Sequence, residues 1–174
     1  MKNNSILSPE LIATIHAQIR IDWLGKHGVR HWARVYEIGM RLSAKTGAQR
    51  QVIELFALFH DARRFNEHTD PQHGPRGARL ARDLRPTFFP HLDEPEFSLL
   101  FQACSLHTSA DNHEDITLQT CFDADRLDLG RVGIVPDPHL LCTAGARTPQ
   151  MIDWAYRRSI EGVVPDNPLG RSIV

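Results

Sequence analysis

Apolar residues recur along this chain at intervals of three and four, and nowhere do apolar and polar positions alternate for long. That pattern predicts helices and no strands. Leu11, Ile12, Ile15 and Ile19 mark a first helix, capped by Ser8, opened by Pro9 and expected to run to about Trp23 or Lys26. After a turn at Gly28, Val35, Ile38 and Leu42 form one stripe that Gly47 closes as a C-terminal cap. The stretch from Gln49 to Phe59 carries Val52, Leu55, Phe56 and Phe59 on a nearly continuous apolar face, which predicts a central, buried helix. Arg63 to Gln72 is polar, with Asn66, Asp70 and Pro71, and reads as a loop of the kind that carries ligand contacts.

Further helices are expected from about Pro75 to Leu84, from Glu94 to about His107 and from Glu114 to Leu129, with Pro86 and Pro90 breaking the chain between the first two. Beyond a Gly/Pro-rich turn around 133–138, Thr148 and Pro149 begin a last amphipathic helix, over about 148–161, bearing Met151, Ile152, Trp154, Ala155 and Ile160. After Gly162 the tail either folds back or is disordered. The expected fold class is all-α, a compact bundle of about six to eight helices. No repeat or linker divides the chain, so residues 1–174 are expected to form one domain.

Composition narrows the function. At 174 residues and 41% hydrophobic the chain can bury a real core, and a net charge of −1 argues against a broad nucleic-acid footprint. A small anionic substrate needs only local positive charge. Three scattered cysteines (Cys104, Cys121, Cys142) suggest buried thiols in a reducing compartment rather than a disulfide framework. With no signal-peptide pattern and no membrane-spanning run, a cytoplasmic location and no membrane partner are expected.

The candidate chemistry begins at His60-Asp61, a nitrogen and an oxygen ligand side by side at the end of the buried helix. Neighbouring side chains on a regular helix point about 100° apart, so both reach one point only if the helix is ending there. A divalent metal is the usual reason to want both. His31, upstream, and Asp125, in Asp123-Ala124-Asp125-Arg126-Leu127, are at suitable distances to join them. Taken singly, histidines in core hydrogen bonds and aspartates at helix ends would explain each residue. Together they do not, because an ionised aspartate is costly to bury unless paired or bound to metal.

In these residues the sequence resembles the HD superfamily of metal-dependent phosphohydrolases, whose pattern is a His, a His-Asp pair and a distant Asp. His31, His60, Asp61 and Asp125 match in order, and the resemblance covers roughly residues 27–130. The segments Asp70-Pro71-Gln72-His73-Gly74 and Ser105-Leu106-His107-Thr108 resemble the extra histidines of dinuclear members such as diadenosine tetraphosphate hydrolases, which makes His73 and His107 candidate ligands of a second ion. Arg64 stands where many members carry a lysine after the pair, implying a phosphate contact; a salt bridge to Glu67 or Asp70 is the plainer alternative. Asp128 orients a ligand or pairs with Arg131. Arg76, Arg79, Arg82 and Arg85 form a basic stripe, read as a solvated face. Arg63 and Arg64 replace the acidic pair of guanosine tetraphosphate hydrolases, and no Gly-Tyr-Pro signature of cyclic dinucleotide phosphodiesterases occurs.

The resemblance implies an HD-domain hydrolase holding one or two divalent ions, Mn²⁺, Fe²⁺, Mg²⁺ or Zn²⁺. A metal-activated water attacks a nucleotide or other small phosphate ester or anhydride, with Asp61 as ligand and proton acceptor and Arg64 as charge stabiliser. The alternatives are a di-iron oxygenase of HD type and a non-catalytic sensor that binds nucleotide in the same pocket. The last helix, with Trp154, either closes the core or supports a homodimer.

Overall fold

A computed structural model of the chain describes residues 5–173, and among them the apolar stripes become eight α-helices and no strand. They are α1 (Pro9–His16), α2 (Val29–Thr46), α3 (Arg50–Phe59), α4 (His73–Phe88), α5 (Glu94–Leu106), α6 (Ile116–Arg126), α7 (Pro149–Ile160) and α8 (Pro168–Arg171). Short 3-10 turns at Leu129–Val132 and Pro138–Leu140 link α6 to α7. α2 is the axis, packing on α3, α6, α7 and α8, while α5 lies against α3, α4 and α6. Their inward faces form one apolar cluster around the fully buried Trp32, Phe56, Phe59 and Phe122.

Local chemistry sets the boundaries. Ser8 caps α1 by accepting from Leu11 N at 3.1 Å, and Gly47 ends α2 in the left-handed region at φ 75°, as its sequence position predicts. α1 stops at His16, well short of Trp23 or Lys26. There the bonding tightens, with Gln18 N donating to Ile15 O, and the chain doubles back so that Trp23 stacks on His16 with ring centroids 4.0 Å apart. Ile19 and Trp23 therefore pack on the core from a turn, although their spacing continues the helical pattern.

α4 is longer than the pattern predicts at both ends. Pro75 falls within its first turn and Pro86 within its last. At the N-terminal end the missing N–H removes no helical bond, so the helix begins at His73, two residues ahead of Pro75. The tail folds back: Asn167 caps α8 by accepting from Gly170 N at 2.9 Å and donates to Ala33 O of α2 at 2.9 Å.

Two glycines let α4 approach its neighbours. A Cβ on Gly77 would lie 2.2 Å from Phe59 O, and one on Gly74 would lie 2.3 Å from Cys104 O. The first half of α4 thus seats directly against the C-terminal ends of α3 and α5. Gly77→Ala should overpack this junction and destabilise the protein by about 3 kcal/mol, read as a lower denaturant midpoint. An unchanged midpoint would mean that the junction yields without cost.

Candidate metal centre

One end each of α2, α3, α4, α5 and α6 converges on one place. His31 lies in the first turn of α2, His60 and Asp61 follow α3, His73 opens α4, His107 caps α5, and Asp125 belongs to the last turn of α6. After Phe59 the chain tightens, with Ala62 N donating to Phe59 O and Arg64 N to Asp61 O. This ends the 100° progression and lets adjacent His60 and Asp61 face the same centre.

The six side chains form two clusters, His31, His60 and Asp125 in one and Asp61, His73 and His107 in the other. Asp61 serves both. Its Oδ2 lies 3.7 Å from His31 Nε2 and 3.8 Å from His60 Nε2, and its Oδ1 lies 3.0 Å from His73 Nε2 and 4.0 Å from His107 Nε2. Asp125 Oδ1 is 3.3 Å from His31 Nε2. All but Asp125 are buried.

The hydrogen bonds on the far side of each ring decide what the near side can do. Nδ1 of His31 lies 2.7 Å from Asp128 Oδ2, that of His60 3.1 Å from Phe56 O, that of His73 2.5 Å from Asp70 O and that of His107 2.8 Å from Cys104 O. These four carbonyl or carboxylate partners accept, which favours a proton on Nδ1 and a lone pair on Nε2 in a neutral ring; at His73, Arg64 Nη1 also lies 3.1 Å from Nδ1 and 3.3 Å from Nε2. Yet His31 Nε2 and His60 Nε2 stand 3.0 Å apart, and His73 Nε2 and His107 Nε2 also stand 3.0 Å apart. Acceptor faces acceptor, with two carboxylates beside them.

Protonating the rings would relieve this conflict, but burial opposes it, pushing His60 down to about 3 and lowering His107 as well. At the two carboxylates burial acts upward but is outweighed by the surrounding histidines and, at Asp125, by Arg131, so both stay ionised. Four lone pairs and two negative charges gathered in a buried space fit a divalent cation in each cluster. The same shifts set the acid response of metal-free protein. Where the unfolded chain binds more protons than the folded one, stability falls as pH falls. His60 and His107 therefore begin to weaken the fold below their ordinary value of 6.5, and Asp61, Asp125 and Asp128 add to the loss below theirs of 3.8. The denaturant midpoint of chelator-treated protein should drop between pH 7 and 5; a flat profile would contradict neutral rings.

Supporting residues complete the centre. Asp128, fully buried, accepts from Arg34 Nε at 2.6 Å and Nη2 at 3.1 Å while it holds His31. Arg131 Nη2 lies 3.7 Å from Asp125 Oδ1. Arg64 is buried beside Asp61 and the His73 ring, with Nη1 3.4 Å from Asp61 Oδ1 and 3.1 Å from His73 Nδ1, and its other donors reach Asn66 O and His68 O, so it fastens the 63–72 loop to the centre. Of the basic stripe, Arg76 pairs with Asp70 and lies over the Phe65 ring at 3.8 Å, whereas Arg82 is exposed on the helix surface. The structure brings together all seven residues singled out in the sequence. Sequence reasoning missed Arg34, which lies a helical turn after His31, and the pairing of His27 with Glu67 at the edge of the centre. His27 carries no ligand pattern in the sequence and reads there as an ordinary surface or structural residue.

No protein-family profile and no curated protein matches the sequence. Among solved structures the chain is similar to the crystal structure of a predicted HD superfamily hydrolase from an uncultured Thermotogales bacterium. The two share 24% sequence identity over 88% of this chain and 87% of that one, with a TM-score of 0.65. The likeness establishes the fold, an all-α bundle of HD-domain type. Among the described residues no helix is long and apolar enough to cross a membrane.

Proposed function

We propose that this chain is a metal-dependent hydrolase of HD type that cleaves a small phosphate ester or anhydride, a nucleotide being the first candidate. The observation that carries the proposal is the convergence of four imidazole Nε2 atoms, paired at 3.0 Å, on two buried or half-buried carboxylates. The HD-like fold supports the same class.

His31, His60, Asp125 and Asp61 Oδ2 would hold one cation, and His73, His107 and Asp61 Oδ1 a second. Divalent ions supply Lewis acidity toward a phosphoryl oxygen and bring the pKa of a bound water to about 7. The protein's contribution is placement. Asp61 fixes the separation of the two clusters, Asp128 orients His31, and Arg131 adds positive charge at the exposed edge of Asp125. The mixed nitrogen and oxygen donor set would accept Mn²⁺, Fe²⁺, Mg²⁺ or Zn²⁺.

Two measurements test this. Protein purified without added metal or chelator is analysed for metal per chain, then assayed for phosphate release from a panel of nucleotides and simple phosphate esters with Mn²⁺ or Fe²⁺ present. Failure to take up metal, or metal uptake with no phosphate released from any of them, would sink the proposal. Oxygen consumption by the Fe²⁺-loaded protein in place of phosphate release would turn it toward an oxygenase.

A further inference from the structure

Beside the two donor clusters, one ion pair joins opposite rims of the centre. His27, on the turn ahead of α2, meets Glu67, in the loop ahead of α4, with Nδ1 2.6 Å from Oε2. Both rims are anchored to metal-cluster residues. The carbonyl of Lys26, next to His27, accepts from Arg131 Nε at 3.0 Å, and Arg131 also faces Asp125. On the other rim, Arg64 grips the loop on either side of Glu67, at Asn66 O and His68 O, while it faces Asp61. Burial has the largest influence on the proton affinity of His27 and lowers it; Asp61 and Glu67 raise it, and Arg64 and Arg131 lower it. The ring is therefore within electrostatic reach of the centre without belonging to either cluster.

Two atoms of the pair remain unspent. His27 Nε2 has no hydrogen-bond partner among the described residues, and the side chain is 13% exposed. Glu67 Oε1 is buried and also has no partner. It stands so close to Gly25 that a Cβ there would lie 2.6 Å away. With Nδ1 fixed by the carboxylate, the only free edge of the ring is Nε2.

We infer that His27, oriented by Glu67, is the acid that protonates the leaving oxygen of the phosphate ester. The inference rests on the hydrolytic function proposed above. Negative charge gathers on the leaving oxygen as a phosphoryl group transfers, and a positioned acid contributes about 10²–10⁴-fold. In the step, a water oxygen forms a bond to phosphorus while the ester P–O bond breaks. The electron pair leaves with the alcohol oxygen, which takes the Nε2 proton of His27. One water proton stays on the phosphate and the other passes to solvent, from which His27 recovers its own at its exposed edge. The bound phosphate dianion favours the imidazolium this requires, since an opposite charge within about 4–6 Å stabilises the charged form.

The test compares phenyl phosphate, a poor leaving group, with p-nitrophenyl phosphate, a good one, using Mn²⁺-loaded parent, His27→Gln and Glu67→Gln proteins. His27→Gln should lose about 10²–10³-fold in kcat/KM on phenyl phosphate and about tenfold or less on p-nitrophenyl phosphate, with metal content per chain unchanged. Glu67→Gln should show the same imbalance in milder form. In Zn²⁺-loaded parent, inorganic phosphate should move the titration of the His27 ring resonance to higher pH. Equal losses on the two esters, loss of metal along with activity, or no phosphate-induced shift overturns the assignment and leaves the hydrolytic function standing. A metal-loaded parent that releases phosphate from neither ester and from no nucleotide of the panel overturns both.

Discussion

If each donor cluster holds one ion, as proposed, Asp61→Ala protein should carry far less than one tightly held metal per chain under conditions where the parent carries about two. The expectation follows from the sharing of a single carboxylate. Oδ2 faces the His31 and His60 nitrogens and Oδ1 faces those of His73 and His107, and among the described residues Asp61 is the carboxylate placed between the two clusters. Alanine removes one ligand from each cluster and half of the negative charge opposing the two cations. Losing a residue that merely orients a ligand costs about 10–100-fold in affinity, so losing a shared ligand should cost more at both positions. Phosphate release should fall by at least about 10³-fold, since metals contribute several kcal/mol to such reactions. Elemental mass spectrometry with a circular dichroism check of folding decides it. A folded Asp61→Ala protein that retains both ions would disprove the shared role. By contrast, His107→Ala removes a ligand from the second cluster alone and should leave about one ion bound.

The second large effect is expected at a residue that reaches no metal directly. Asp128 binds His31 Nδ1 at 2.7 Å and Arg34 at 2.6 and 3.1 Å, and it has no solvent exposure. In Asp128→Ala, Arg34 keeps one hydrogen bond, from Nη1 to Val163 O at 3.3 Å, but loses its counter-charge while only 4% exposed. Leaving a buried charge unpaired costs about 3–5 kcal/mol. For a chain of this size that corresponds to a fall in Tm of roughly 10 °C in the metal-free protein. Affinity at the cluster containing His31 should fall about 10–100-fold, because the ring is free to rotate and to change tautomer. The double variant Asp128→Ala, Arg34→Leu separates the two effects. It should recover much of the stability, as apolar replacements of buried ion pairs do, but not the metal affinity. Recovery of both would mean that Asp128 serves only to neutralise Arg34.

Much of this arrangement is legible in the sequence, and the unread parts share a cause. The stripe of α2, its glycine cap and the apolar run of α3 are local signals, and they place His31 and His60-Asp61 at helix ends directly. The chemistry of the ligands is legible for the same reason, since aspartate and histidine flanking apolar helices need a partner. What local pattern does not carry is who that partner is. Arg34 looks like one more surface arginine until Asp128, 94 residues away, is folded against it. His27 and Glu67 lie in polar turns, where ionisable residues are ordinary, and only the fold sets them 2.6 Å apart. Arg64 has the sequence position of a phosphate contact, while its donors are engaged by Asp61 and the loop carbonyls. The first helix misleads in the opposite way, because Ile19 and Trp23 keep helical spacing while packing from a turn.

The fastening of α2 also bears on the order in which the centre matures as the chain folds. The cluster of Asp61, His73 and His107 draws on α3, α4 and α5 alone, a continuous stretch of sequence. The cluster of His31, His60 and Asp125 depends on helices from both halves, and α2 beneath it is held by Val163 O through Arg34 and by Asn167 through Ala33 O, 129 and 134 residues downstream. Closing such long loops is slow compared with joining neighbours. A nascent chain would therefore complete a metal-competent pocket from α3, α4 and α5 first, and the other only once the distant tail had docked. Metal added during refolding should enter the two positions in that sequence.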